Sequence, residues 1–204
     1  MSKQNWRGGA LTSPVPPVLV SCGTMEEPKV LTIAWTGTIN TKPPKVYISV
    51  RSTRASYPVI KESGEFVINL ATASLVRTVD FCGCKSSADT DKFAECALTA
   101  EPAVHVAAPA LAECPISIEC RVFDVIPLGS HDMFLADVVG ISVDEEFIDP
   151  DGKLRLDKAD LLAYAHGEYF QLGKKLGTFG FSVRKKPVKS TGRRHKKTVK
   201  PTAK

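Results

Sequence analysis

The sequence predicts a mainly β domain, a closed antiparallel barrel with a few short helices between its strands. Three observations lead there. Short β-branched runs recur from Val15 to Leu172 and are broken by Gly, Pro, Asn and Asp. Strand and helix do not alternate strictly, which argues against a parallel sheet. Two long runs, 116–126 and 133–143, flank a turn-like Leu128–Asp132 and read as one extended hairpin.

Val15–Cys22 (VPPVLVSC) reads as the first strand and Lys29–Trp35 (KVLTIAW) as the second. Gly37, Asn40, Pro43 and Pro44 then mark a loop. Lys45–Val50 is a third strand, with Val46, Ile48 and Val50 on one face. Ser56 as N-cap, Pro58 in the first turn and Gly64 as stop bracket a short helix over Tyr57–Ser63. Glu65–Leu70 returns to strand, and Ser74–Cys82 places Leu75, Val79 and Cys82 at helical spacing. A polar stretch, Lys85–Asp91, leads into a short helix at Lys92-Phe93. After the long hairpin, Asp149–Gly152 is a turn by composition, and Glu168–Leu172 is a last short strand.

The chain has 204 residues, 43% hydrophobic and 24% charged, enough for one domain with a substantial core. No run of eighteen apolar residues encodes a membrane span, and no apolar stretch behind Lys3 and Arg7 suggests a signal peptide, so a cytoplasmic location is expected. The six cysteines are then expected as reduced thiols. Cys82-Gly83-Cys84 stands out, either as a redox pair or as small apolar filling near a helix end. The net charge of +5 belongs to the C-terminus. Residues 184–204 carry ten Lys or Arg and no acid, which leaves 17 basic against 22 acidic side chains in residues 1–183. The domain is therefore read as 1–185. Residues 186–204 form a basic tail with too little apolar surface to order itself, either a polyanion-binding arm or a solubilising extension.

No metal site is read. The cysteines form no CxxC pair, the histidines are scattered, and the DPDG turn lacks the remaining ligands of a calcium loop. Dinucleotide, phosphate-loop and nucleophile-elbow signatures are absent as well. The strongest local signal is Ser49-Val50-Arg51-Ser52-Thr53-Arg54-Ala55-Ser56, two arginines and four hydroxyls before a helix start. Free amides, the positive helix end and guanidinium forks suit a phosphate; a capped surface helix with two exposed arginines is the alternative. Trp35, before Gly37, is either ordinary core or part of a ligand wall in which backbone approaches closely. His131, at the hairpin turn, is either an exposed turn histidine or a titrating group near a site.

The order of these pieces resembles the flavin reductase-like family, most of all its flavoredoxin branch. The likeness is carried by Thr32-Ile33-Ala34-Trp35-Thr36-Gly37, by Ser49-Val50-Arg51-x-x-Arg54-x-Ser56 and by Gly64–Leu70. Asp91-Lys92-Phe93, Glu113-Cys114-Pro115, Gly129–Asp132 and Gly167-Glu168-Tyr169 continue it, over residues 14–185 in all. The resemblance implies a six-stranded split β-barrel of Greek-key type, homodimeric, with FMN near the subunit interface. It places Thr32, Ala34, Trp35 and Thr36 along the isoalloxazine, and Ser49, Val50, Arg51, Arg54 and Ser56 on the ribityl chain and phosphate. Lys92 and Phe93 would close over the cofactor, and His131, the one catalytic candidate, would sit by the flavin or the nicotinamide. The basic tail and the Cys82–Cys84 pair lie outside the family pattern. Three functions follow as expectations: a reductase passing electrons from NADH or NADPH through FMN to a flavin or protein acceptor; a flavoredoxin-type carrier between proteins; or a flavin- or polyanion-binding module without catalysis.

Overall fold

A computed structural model describes residues 1–184. In chain order the elements are β1 (Val18–Gly23), β2 (Pro28–Ile33), β3 (Thr36–Thr41), β4 (Pro44–Val50), α1 (Ser56–Ser63) and β5 (Glu65–Asn69). They continue with α2 (Val76–Cys84), α3 (Lys92–Cys96), β6 (Ala100–Glu101), β7 (Ala110–Leu111), β8 (Ile116–Pro127) and β9 (Asp132–Val143). A small hairpin, β10 (Leu162–Ala165) and β11 (Glu168–Gln171), completes the unit, which ends at Gly173. Residues 174–184 belong to a second unit, which contains one 3-10 turn, Phe181–Val183, entered through Gly180 at φ 78. The basic tail lies outside the described residues.

One antiparallel sheet carries the fold, in the order β2-β1-β5-β8-β9-β4-β3. Its two edge strands are consecutive in sequence, joined only through Ala34 and Trp35. Residues 28–41 are therefore one bent stretch that pairs with β1 by its first half and with β4 by its second. Counted once, it gives the six strands of a split barrel. The split lies where the stretch bends, between β2 and β4.

The loop expected over residues 37–44 is instead β3 and a tight turn. Gly37 and Asn40 are poor strand formers alone, yet pairing with β4 supplies the hydrogen bonds, and a register shift between Thr38 and Asn40 absorbs the irregularity. The Asn40 amide donates to the Pro43 carbonyl at 2.7 Å and holds the turn. The long hairpin forms as expected, closed by Leu128 N–H donating to His131 O at 2.9 Å. The hairpin arm β10 is not visible in the sequence pattern; β10 also bonds in both directions with Val15 through Tyr164.

Alternation explains the core. Val18, Val20 and Cys22 of β1 point into the barrel with Ile48, Phe66, Cys120 and Phe134, and Ile60 of α1 packs against them. The opposite parity, Leu19 of β1 and Val30 of β2, meets Val79 and Cys82 of α2. β1 is thus buried on both faces, which is why its sequence is a nearly continuous apolar run. Each such large side chain removed from water contributes roughly 1.5–3 kcal/mol. The polar residues of this layer are bonded: Asn69 donates to Leu19 O at 3.0 Å and accepts from Ser117 Oγ at 2.8 Å. Among the described residues no helix is long and apolar enough to cross a membrane.

Candidate active site in the split of the barrel

A cavity of about 280 Å³ opens between the end of β2 and the end of β4. One wall is Thr32, Ala34 and Trp35. The other is Ser49, Val50, Arg51 and Arg54, with His131 reaching in from the β8–β9 turn. Two chain segments that bend away from each other at the split leave this space, and the Ser49 N–H donation to Trp35 O at 2.9 Å ties them together at its floor.

The arginines are its main charge. Neither guanidinium has a carboxylate partner within the described residues, and His131 and the Lys92 ammonium stand nearby. Burial first, and then the Arg51 and Arg54 charges, hold the His131 pKa below its ordinary value. Lys92 is depressed too, chiefly by burial, with Arg54 adding repulsion. An uncompensated positive cluster at a cleft favours an anion with several oxygens. The helix start adds little to it. Tyr57 N–H is spent on Arg54 O at 2.9 Å and Pro58 has no N–H, so two of the first three amides of α1 cannot meet a ligand.

Several expectations need correcting in detail. Ser56 is not the N-cap; that position is Ala55, with no side-chain cap, and Ser56 opens the helix with only 2% of its surface exposed. Its hydroxyl bonds the Cys22 thiol, whose pKa burial pushes up to about 11, so it faces the core and not the cleft. Thr36 is also buried and donates to Tyr47 O at 2.7 Å. Thr32 lines the cleft, but its hydroxyl donates to Val79 O at 2.5 Å, leaving backbone and methyl for a ligand. Lys92 and Phe93 line a separate cavity with Pro28 and Val30. The Lys92 ammonium, on a side chain 4% exposed, donates to Val30 O at 3.0 Å and Cys82 O at 2.8 Å. It fastens α3 to β2 and α2.

Residues without an assigned role surround the first cavity. A neighbouring space of about 320 Å³ shares Thr32, Ala34 and Trp35 with it and adds Gly83, Cys84 and Tyr169. α2 runs close to β2 here: a Cβ on Gly83 would come into van der Waals contact with Thr32 Cβ at 3.4 Å. In the sequence, Cys82-Gly83-Cys84 and Gly167-Glu168-Tyr169 are the singled-out segments that contribute to this wall.

Comparison with known proteins agrees with this architecture. Residues 10–173 match the profile of the family described as "Flavin reductase like domain". Among solved structures, flavoredoxin of Desulfovibrio vulgaris (Miyazaki F) superposes with a TM-score of 0.83 at 30% identity, covering 90% of this chain and all of that one. Flavoredoxin from Methanosarcina acetivorans gives 0.82 at 22% identity, with the same coverage. An uncharacterized protein of Archaeoglobus fulgidus is 27% identical over 146 residues, 72% of this chain and 81% of its own length.

Proposed function

This chain belongs to the flavin reductase like domain family, and on that footing we propose that it is an FMN-dependent oxidoreductase with its cofactor in the split of the barrel. The observation that carries the reading is the pair of arginines, Arg51 and Arg54, lining the cleft with no carboxylate partner among the described residues. Those residues fit the group: two guanidinium forks suit a phosphate ester, and the Thr32–Trp35 wall offers a strip of backbone and one indole to a planar ring. FMN-binding protein from Thermus thermophilus has this fold, with a TM-score of 0.72 at 19% identity.

Arg51 and Arg54 bind the phosphate, Ser49 the ribityl hydroxyls, and the 32–35 segment orients the ring. His131, its pKa held below the ordinary value by burial and by the Arg51 and Arg54 charges, offers a ring nitrogen at the rim; Ser130 Oγ lies 3.0 Å from its Nδ1. Bound FMN supplies hydride acceptance and onward electron transfer. In this reading NADH or NADPH is the donor, a flavin or a protein the acceptor, and the working unit a cytoplasmic homodimer.

A flavoredoxin-type carrier, without direct oxidation of nicotinamide, is the second reading, favoured by the 30% identity to the Desulfovibrio flavoredoxin. One experiment separates the two. The purified chain is titrated with FMN, its visible spectrum is recorded, and NADH or NADPH is added without oxygen. Flavin bands with rapid bleaching support the reductase; flavin bands that persist support the carrier. Failure to bind FMN overturns both.

A further inference from the structure

Three cysteines cluster where α2 and α3 meet. Cys82 is fully buried, and Cys96 packs against the same apolar cluster. The two thiols interact, and burial raises the Cys82 pKa with the Cys96 thiol adding to the rise. Cys96 also lines a cavity of about 880 Å³ between α2, α3 and β11, into which exposed Cys84 also opens. The pair thus consists of one thiol that a solute can reach and one directly behind it. The Lys92 ammonium stands near both sulfurs and donates to Cys82 O at 2.8 Å. Charges of both signs border the cavity, Arg77 and Lys85 against Asp80 and Glu95. Its volume lies within the usual range of small-molecule sites, roughly 300–1,000 Å³.

We propose that Cys96 and Cys82 form a second, thiol-based redox centre that accepts a small zwitterionic disulfide in this cavity. The Cys96 thiolate attacks one sulfur of the disulfide. A mixed disulfide forms, and the other half leaves as a thiolate that takes up a proton. Cys82, having lost its proton, then attacks the Cys96 sulfur. A Cys82–Cys96 disulfide forms and the second half leaves as a thiol, so the protein loses two electrons and the substrate gains two. Return to the dithiol needs two electrons and two protons. This part rests on the function proposed above: FMN reduced in the split would be the donor, since Thr32 of that cleft and Gly83, next to Cys82 in sequence, line one adjoining space. Mixed charge selects the substrate class, since carboxylate and ammonium groups flanking a disulfide find partners on both walls.

The test uses the full chain without added cofactor, with cystine as the probe. After incubation the remaining thiols are alkylated, and non-reducing peptide mapping locates the disulfides. The expected result is the loss of two thiols per chain and one linked pair joining Cys82 to Cys96. C82S stops with half a cystine on Cys96, C96S gives no linked pair, and C84S still gives it. No linked pair in the unsubstituted chain, or one containing Cys84 in place of Cys82, overturns the proposal, and neither outcome depends on how a variant folds. FMN binding is read separately from the visible spectrum, so failure of the flavin reading leaves this map intact. In FMN-loaded, pre-oxidised chain, anaerobic photoreduction is expected to restore both thiols; a linked pair that persists beside bleached flavin overturns the return step.

Discussion

Arg51 and Arg54 set the chemistry of the cleft because no acidic side chain among the described residues neutralises them. A hydrogen bond to a charged group contributes about 1.5–3 kcal/mol, so Arg54→Ala is expected to weaken FMN binding by about 10- to 100-fold. Quenching of flavin fluorescence during titration measures this, and Arg54→Lys should recover only part of the loss, because the fork is missing. His131 gives a second residue-level outcome. Its folded pKa lies below the unfolded one, so as pH falls the unfolded chain takes up the proton first. The stability it contributes is present above the unfolded value of about 6.5 and is lost as pH drops through the folded value. Its NMR titration midpoint is expected below 6.5 and should rise when Arg51 and Arg54 are both replaced by alanine, since their charges help to depress it.

At the scale of elements, α3 is five residues long and depends on its attachments. Asp91 caps it, accepting from Phe93 N–H at 3.0 Å and Ala94 N–H at 3.2 Å. Asp91→Ala is expected to cost about 1 kcal/mol in urea unfolding, with Asp91→Asn close to the native value. Lys92→Met takes the donor from two carbonyls and is expected to cost about 1–3 kcal/mol by the same measurement. This tells it apart from a cofactor ligand, whose loss would move FMN affinity and leave stability alone. Strands with strong alternation, such as β4 and β8, were readable because their period is set by which face is buried. β3 was not, since Gly37 and Asn40 carry turn signals and only pairing with β4 makes them a strand. The same limit applied to Ser56: its residue type favours a cap, but packing of α1 against β1 turned the hydroxyl toward Cys22.

For the whole molecule, the charge divides between a body that is net acidic and a basic C-terminus. The cleft is built from residues 31–131, so deletion of residues 186–204 is expected to leave the flavin spectrum and FMN affinity unchanged while removing salt-dependent retention on a polyanion column. Sedimentation of the FMN-loaded chain checks the expected homodimer. By itself the sequence determined the barrel class, the long hairpin and the Ser49–Ser56 segment, because these rest on local periodicity and on residue chemistry within a few positions. Tertiary structure alone decided that one bent stretch serves both edges of the sheet, that the split lies at Ala34–Trp35, and which side chains face it. It also decided that Lys92 turns inward and that Cys96 stands beside Cys82. The physical reason is that facing and neighbourhood depend on contacts between segments far apart in the chain, and no local pattern records them.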